Sequence, residues 1–181
     1  MIKKVIRISV IAVCLLIIVA ANFSCSSTSH VDKLAVKTAD VNVITSDLVS
    51  FGNTQQKLFD DFMACKDSVA CMDNVKHLAM NVNEFMSTHD IYADLTAEER
   101  NSLKKNAEKH AVDMKTPSGF LNFAKANQSK EYYRLCNVLM GHDSIDNITI
   151  DCIANNKQLK LYEKMTLLVS LPVFKDAHKP L

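Results

Sequence analysis

The sequence predicts an all-α fold, a single helical bundle of about five to seven helices stapled by disulfides, and three observations carry that prediction. Only three glycines and three prolines punctuate 181 residues, and tryptophan is absent. Sandwiches and barrels need turn signals at much shorter spacing. From Asp32 onward, apolar residues recur three, four and seven apart, which is the spacing of one helical face. Several of these runs also open on side chains suited to satisfying the free amides of a helix start.

The first face is Leu34, Val41, Ile44, Leu48 and Phe51, and Gly52 is its natural C-terminal stop. Leu58, Phe62 and Cys65 give the next face. Val75, Leu78, Val82 and Phe85 form a later stripe that ends near His89. Between the two, Asp67 or Ser68 is placed to cap a new helix, so one bent helix and two separate helices both fit this stretch. Leu95-Thr96-Ala97-Glu98-Glu99 is a capping box, opening a helix with Leu103, Ala107 and Ala111 inward. Thr116-Pro117 opens another, since proline costs nothing in a first turn, with Phe120, Phe123 and Ala124 on its face. After a break near Gln128 to Lys130, Tyr132, Leu135, Cys136 and Leu139 follow to Gly141. The β-branched Ile148-Thr149-Ile150 fits either a short strand or a first helical turn. The last helix carries Leu161, Met165 and Leu168 and stops before Pro172. These elements make one domain, residues 32–181, a length at which ~70% of the unfolded surface can be buried.

The N-terminal segment, residues 1–24, has a different character. Lys3, Lys4 and Arg7 precede an apolar run from Ile8 to Ala21 broken only by Ser9, the order of regions in a secretory signal peptide. A membrane span needs ~20 apolar residues, and this run is shorter. Val19-Ala20-Ala21 offers an ordinary cleavage site before Asn22. The following Asn22-Phe23-Ser24-Cys25 resembles the lipobox of a bacterial lipoprotein, a resemblance confined to residues 1–27. Ser24 and Cys25 fit the common pattern, and Asn22 and Phe23 are similar to the relaxed boxes of some Gram-negative lineages. The resemblance implies cleavage before Cys25, acylation of its sulfur with palmitate among the expected chains, and a tether over residues 25–31. Ser26 resembles an outer-membrane address, so the expected location is the periplasmic face of the outer membrane of a Gram-negative bacterium.

Cysteine arithmetic agrees with that processing. Of six cysteines, Cys14 leaves with the signal and lipidation consumes Cys25, leaving Cys65, Cys71, Cys136 and Cys152 as an even set. Cys136 and Cys152 bracket a helical hairpin turn, which favours a Cys136–Cys152 staple and, by elimination, Cys65–Cys71. In an unbroken helix six residues rise ~9 Å, beyond the ~7 Å that a disulfide tolerates between α-carbons. Cys65 and Cys71 therefore close locally only if the helix breaks at Lys66 to Ser68; otherwise each reaches a distant partner. Neither pair has the Cys-x-x-Cys spacing of redox or zinc chemistry.

Removing residues 1–24 leaves 157 residues with 18 Lys and Arg against 20 acids, a net charge of −2. Without a basic run there is no electrostatic footprint for nucleic acid, and that class is discarded. His77 and Met80, with Met63, Met72 and Met86 nearby, have the soft donors that suit Cu(I). The methionines largely follow the apolar stripe, however, and read as core fillers, so no metal or cofactor is expected. The remaining histidines, His30, His89, His110, His142 and His178, sit near termini, turns or charged faces and read as solvated. Asp60 with Asp61, Glu98 with Glu99, and Asp143 with Asp146 are adjacent acids of the kind that answer a helix dipole or face water. No hydrolase or metalloprotease motif occurs. Asp67-Ser68-Val69 and Asp143-Ser144-Ile145 resemble the Asp, Ser or Thr, aliphatic acceptor pattern of a bacterial periplasmic O-glycosylation system, which makes Ser68 and Ser144 candidate acceptors. Their blander reading is that both serines are helix N-caps.

The expectation from sequence is thus a lipid-anchored, non-enzymatic interaction module of the cell envelope that binds another envelope protein or peptide. An inhibitor or immunity protein against an envelope-targeted toxin is the alternative, and an envelope hydrolase is a third class.

Overall fold

A computed structural model describes residues 41–109, 111, 113–123, 133–134, 137–138 and 147–178. Five helices are bounded within it: α1 (Val41–Ala64), α2 (Ser68–Thr88), α3 (Ala97–Lys109), α4 (Ile150–Asn155) and α5 (Leu161–His178). Residues 117–123 are also helical, and there is no strand among the described residues. The all-α bundle is therefore the fold of this chain. Leu34, the Tyr132–Leu139 stretch in large part, and the whole N-terminal segment with Cys14 and Cys25 lie outside the described residues.

Helix α1 runs straight through Gly52, so this glycine is not a stop. It is buried, and a Cβ built on it would lie 2.7 Å from Ile150 Cγ2 and 2.9 Å from Leu168 Cδ2. The residue marks where α1 crosses α4 and α5 at close approach. Leu48 and Phe51 face the core as expected, while Phe59 and Phe62, rather than Leu58, continue the stripe.

The chain breaks after Ala64, and α2 starts at Ser68 with Asp67 as its cap. Asp67 Oδ1 accepts from the amides of Val69, at 2.7 Å, and Ala70, at 3.1 Å. This break brings the Cα atoms of Cys65 and Cys71 to 5.6 Å, and the two are bridged. The helix hairpin is thereby tied at its tip, and α2 returns antiparallel along α1 with Val75, Val82 and Phe85 buried. Two amides brace the seam: Gln55 donates to the carbonyl of Leu78, and Asn81 to that of Phe51. Reducing the bridge is expected to cost about 2 kcal/mol from the entropy of its short loop. Urea midpoints with and without reductant, using a Cys65→Ser, Cys71→Ser double variant as the control, measure this.

The capping box forms as the sequence reads. Thr96 N–H donates to Glu99 Oε2 at 2.8 Å, and Glu99 N–H to Thr96 Oγ1 at 3.2 Å. Helix α3 ends at Lys109, earlier than expected: Ala111 is exposed at φ 52°, in the left-handed region that closes helices. Thr116 caps the 117–123 helix through the amide of Gly119, and Phe120 and Phe123 are buried. Gly119 is obligatory in this packing, because a Cβ there would fall 1.6 Å from the carbonyl oxygen of Asp113.

Ile148-Thr149-Ile150 resolves as a helix start: Thr149 caps α4 by accepting from Cys152 N–H. Ile153 and Ala154 turn inward from this short helix, which leaves Cys152 on the outer side as an exposed, free thiol. Its expected partner in the Cys136–Cys152 staple, Cys136, lies outside the described residues. Helix α5 does not stop before Pro172 but continues through it to His178. Met165, Leu167, Leu168 and Leu171 are each at most 1% exposed, and Thr166 and Ser170 are buried too. The middle of α5, from Met165 to Pro172, is buried around nearly its whole circumference and held by packing, which outweighs the one backbone bond that proline removes. Phe51, Val82, Phe85, Phe120, Ile148, Ile153 and the α5 leucines form one continuous core.

Candidate functional site

Two polar constellations stand out from the apolar core. The first joins the end of α2 to α1. His89 stacks on Phe85, with ring centroids 4.3 Å apart, and its Nε2 lies 3.1 Å from Asp47 Oδ2. On the other side of the ring, Nδ1 is 2.8 Å from Thr88 Oγ1. Hydroxyl, imidazole and carboxylate in that sequence are the order of nucleophile, base and orienting group. His89 is thus not solvated, contrary to its sequence reading; its side chain is only 17% exposed.

The surrounding bonds also tie this triplet to the end of α2. Thr88 Oγ1 also lies 3.2 Å from the Glu84 carbonyl and 3.1 Å from that of Phe85. His89 Nδ1 is 3.2 Å from the same Phe85 oxygen, and the His89 amide donates to it at 3.0 Å. The Thr88 hydroxyl and the His89 amide are thus directed at the carbonyls of Glu84 and Phe85 in the last turn of α2. The triplet is a clasp that closes α2 and fastens it to α1.

The second constellation surrounds the start of α5. Asp94 Oδ2 accepts from Leu161 N–H at 2.8 Å, and Glu163 Oε2 from Lys160 N–H at 2.9 Å. Glu163, 8% exposed, also pairs with Arg134. Lys160 reaches the carbonyl of Asp94 at 3.0 Å and lies 3.7 Å from Glu99 Oε2. Lys164 donates to the carbonyl of Ala154 at the end of α4, at 2.7 Å. Beside them Tyr92 donates its hydroxyl to the carbonyl of Met114 and packs near Tyr162. Burial pushes the Tyr92 phenol well above its ordinary value and holds the Lys164 ammonium below its own. Every acid here caps a helix start or meets a cation, so the charges knit α3, α4 and α5 together.

Glu99 belongs to both its capping box and this cluster. The Thr96 amide holds its carboxyl below the ordinary 4.5, with Lys160 assisting. A depressed folded-state pKa gives stability that is present above the unfolded value and lost as pH falls through the folded one. Glutamine retains the cap but not the charge. Glu99→Gln is therefore expected to flatten the loss of stability below about pH 4.5, read as urea midpoints at pH 3, 4, 5 and 7.

The other candidates read from sequence disperse. His77 and Met80 are exposed on the outer side of α2, whereas Met63, Met72 and Met86 are half-buried. Among the described residues no three His, Cys, Asp or Glu side chains gather as a metal site. Asp60 and Asp61 are exposed in the last turn of α1, and Glu98 is exposed in the first turn of α3. Asp143, Ser144 and Asp146 lie outside the described residues. Ser68 is exposed at the start of α2. The His89–Asp47 pair joins residues 42 apart, and no sequence signal announces it. Glu163, three residues after Lys160, has capping-box spacing that could have been found.

Comparison with known proteins gives no family model, no curated protein and no solved structure that matches this chain.

Proposed function

We propose that this protein is a lipid-anchored, non-enzymatic interaction module of a Gram-negative cell envelope, held at the periplasmic face of the outer membrane and binding another envelope protein or peptide. The observation that carries this reading is Cys25 placed directly behind an export-type apolar run, ahead of the polar stretch Ser26 to His30. The described domain supports it in two ways. Its two polar constellations are committed to helix ends and helix junctions. No helix among the described residues is long and apolar enough to cross a membrane, and attachment in this reading is assigned to the lipid at Cys25.

Exposed lysines on three helices, including Lys57, Lys76 and Lys104, permit the direct test: amine crosslinking in intact cells at native expression, then purification through this protein. One recurrent envelope partner is the expected result. Recovery of a toxin from neighbouring cells, with protection against it, would favour the inhibitor reading. Turnover of an envelope polymer by the purified protein would favour the hydrolase. Absence of any partner would overturn the proposal.

A further inference from the structure

We propose that Ser68 is an O-glycosylation site, its hydroxyl accepting a glycan from a polyprenyl-diphosphate-linked donor in the periplasm. This rests on the export reading above, since such donors are used outside the cytoplasm. The bland account of Asp67-Ser68-Val69 makes the serine a helix cap, and the structure gives that role to Asp67 instead. One carboxylate oxygen, Oδ1, takes both amide bonds. Asp67 Oδ2 and the Ser68 hydroxyl have no hydrogen-bond partner among the described residues and face solvent.

Val69 is the second observation. It is 68% exposed, the highest value among the large apolar side chains left exposed in the described residues, and it contributes nothing to the core. An aliphatic residue in that position has a use if a transferase seats it in a pocket. The third is rigidity. The Cys65–Cys71 bridge encloses the tripeptide, with Lys66 and Ala70 also exposed, so the acceptor stands on a braced, protruding turn.

The chemistry balances without a further reactant. Ser68 Oγ attacks the anomeric carbon, the new carbon–oxygen bond forms, and the bond from that carbon to the diphosphate oxygen breaks. Polyprenyl diphosphate leaves with the electron pair, and the serine proton passes to a base of the transferase.

The test is peptide mass mapping of the full chain made in its own bacterium, read at the N-terminal peptide and at the peptide spanning residues 66–76. A saccharide mass on Ser68 is expected, abolished by Ser68→Ala and retained by Ser68→Thr. Asp67→Asn keeps the cap, because asparagine serves there as well as aspartate, and is expected to lower occupancy at least tenfold while the circular dichroism melt is unchanged. A lipidated Cys25 with an unmodified Ser68, or a glycan confined to Ser144, overturns this proposal and leaves the anchor standing. An N-terminal peptide that retains residues 1–24, with Ser68 unmodified, sinks the lipid anchor and this proposal together.

Discussion

Replacing Gly52 by leucine is expected to destabilise the protein by about 3 kcal/mol, and by alanine by about 1 kcal/mol. Glycine in a helix interior costs about 1 kcal/mol relative to alanine, so the alanine variant gains propensity and loses fit. The loss wins because its Cβ would sit 2.7 Å from Ile150 Cγ2. That methyl branches from the Cβ of the first residue of α4, pinned beside the Thr149 cap, and has little room to yield. The other contact, Leu168 Cδ2 at 2.9 Å, is the end of a longer side chain and can give. Leucine adds volume that neither helix can accommodate without moving apart. Urea midpoints for the three proteins should fall in the order Gly, Ala, Leu. A glycine that merely ended a helix would show a loss independent of side-chain size, and such a result would refute the crossing of α1 with α4 and α5.

The second large effect concerns the proposed anchor. Cys25→Ala is expected to move the protein from the membrane fraction to the soluble periplasm, because lipidation contributes ~0.8 kcal/mol for each buried methylene and two or more chains are needed for firm attachment. Intact mass of the native protein, before and after reduction and alkylation, gives the companion result. It should correspond to residues 25–181 plus lipid. Cys152 should alkylate without reduction, as an exposed free thiol, whereas Cys65 and Cys71 should require it. A variant that stays in the membrane would make the apolar run Ile8 to Ala21 the attachment. A native mass beginning at Asn22 without lipid would make Cys25 an ordinary thiol and direct the search to soluble partners.

Local signals were legible wherever neighbouring residues settle their own hydrogen bonds. The Thr96–Glu99 box and the Thr116 cap each join residues three apart, so their types and spacing suffice. The break between Cys65 and Cys71 was half legible: the pairing demanded it, but the choice of Asp67 over Ser68 as cap needed coordinates. Gly52 and Pro172 were misread for a common reason. Both carry strong local punctuation, and both sit where α1 or α5 is pressed into the core, where burial outweighs backbone preference.

What the sequence by itself determined was the helical class, the helix starts at Thr96 and Thr116 and the face that Leu48, Phe51, Val82 and Phe85 turn inward, because periodicity and caps are short-range. Only the tertiary structure decided that the middle of α5 is buried and that Gly52 is a contact point. It alone joined His89 to Asp47, Asp94 to the α5 N-terminus and Glu163 to Arg134. These polar pairs lie 42, 67 and 29 residues apart. A charge gains a partner only when packing brings one within hydrogen-bond reach, and packing is a property of the whole chain.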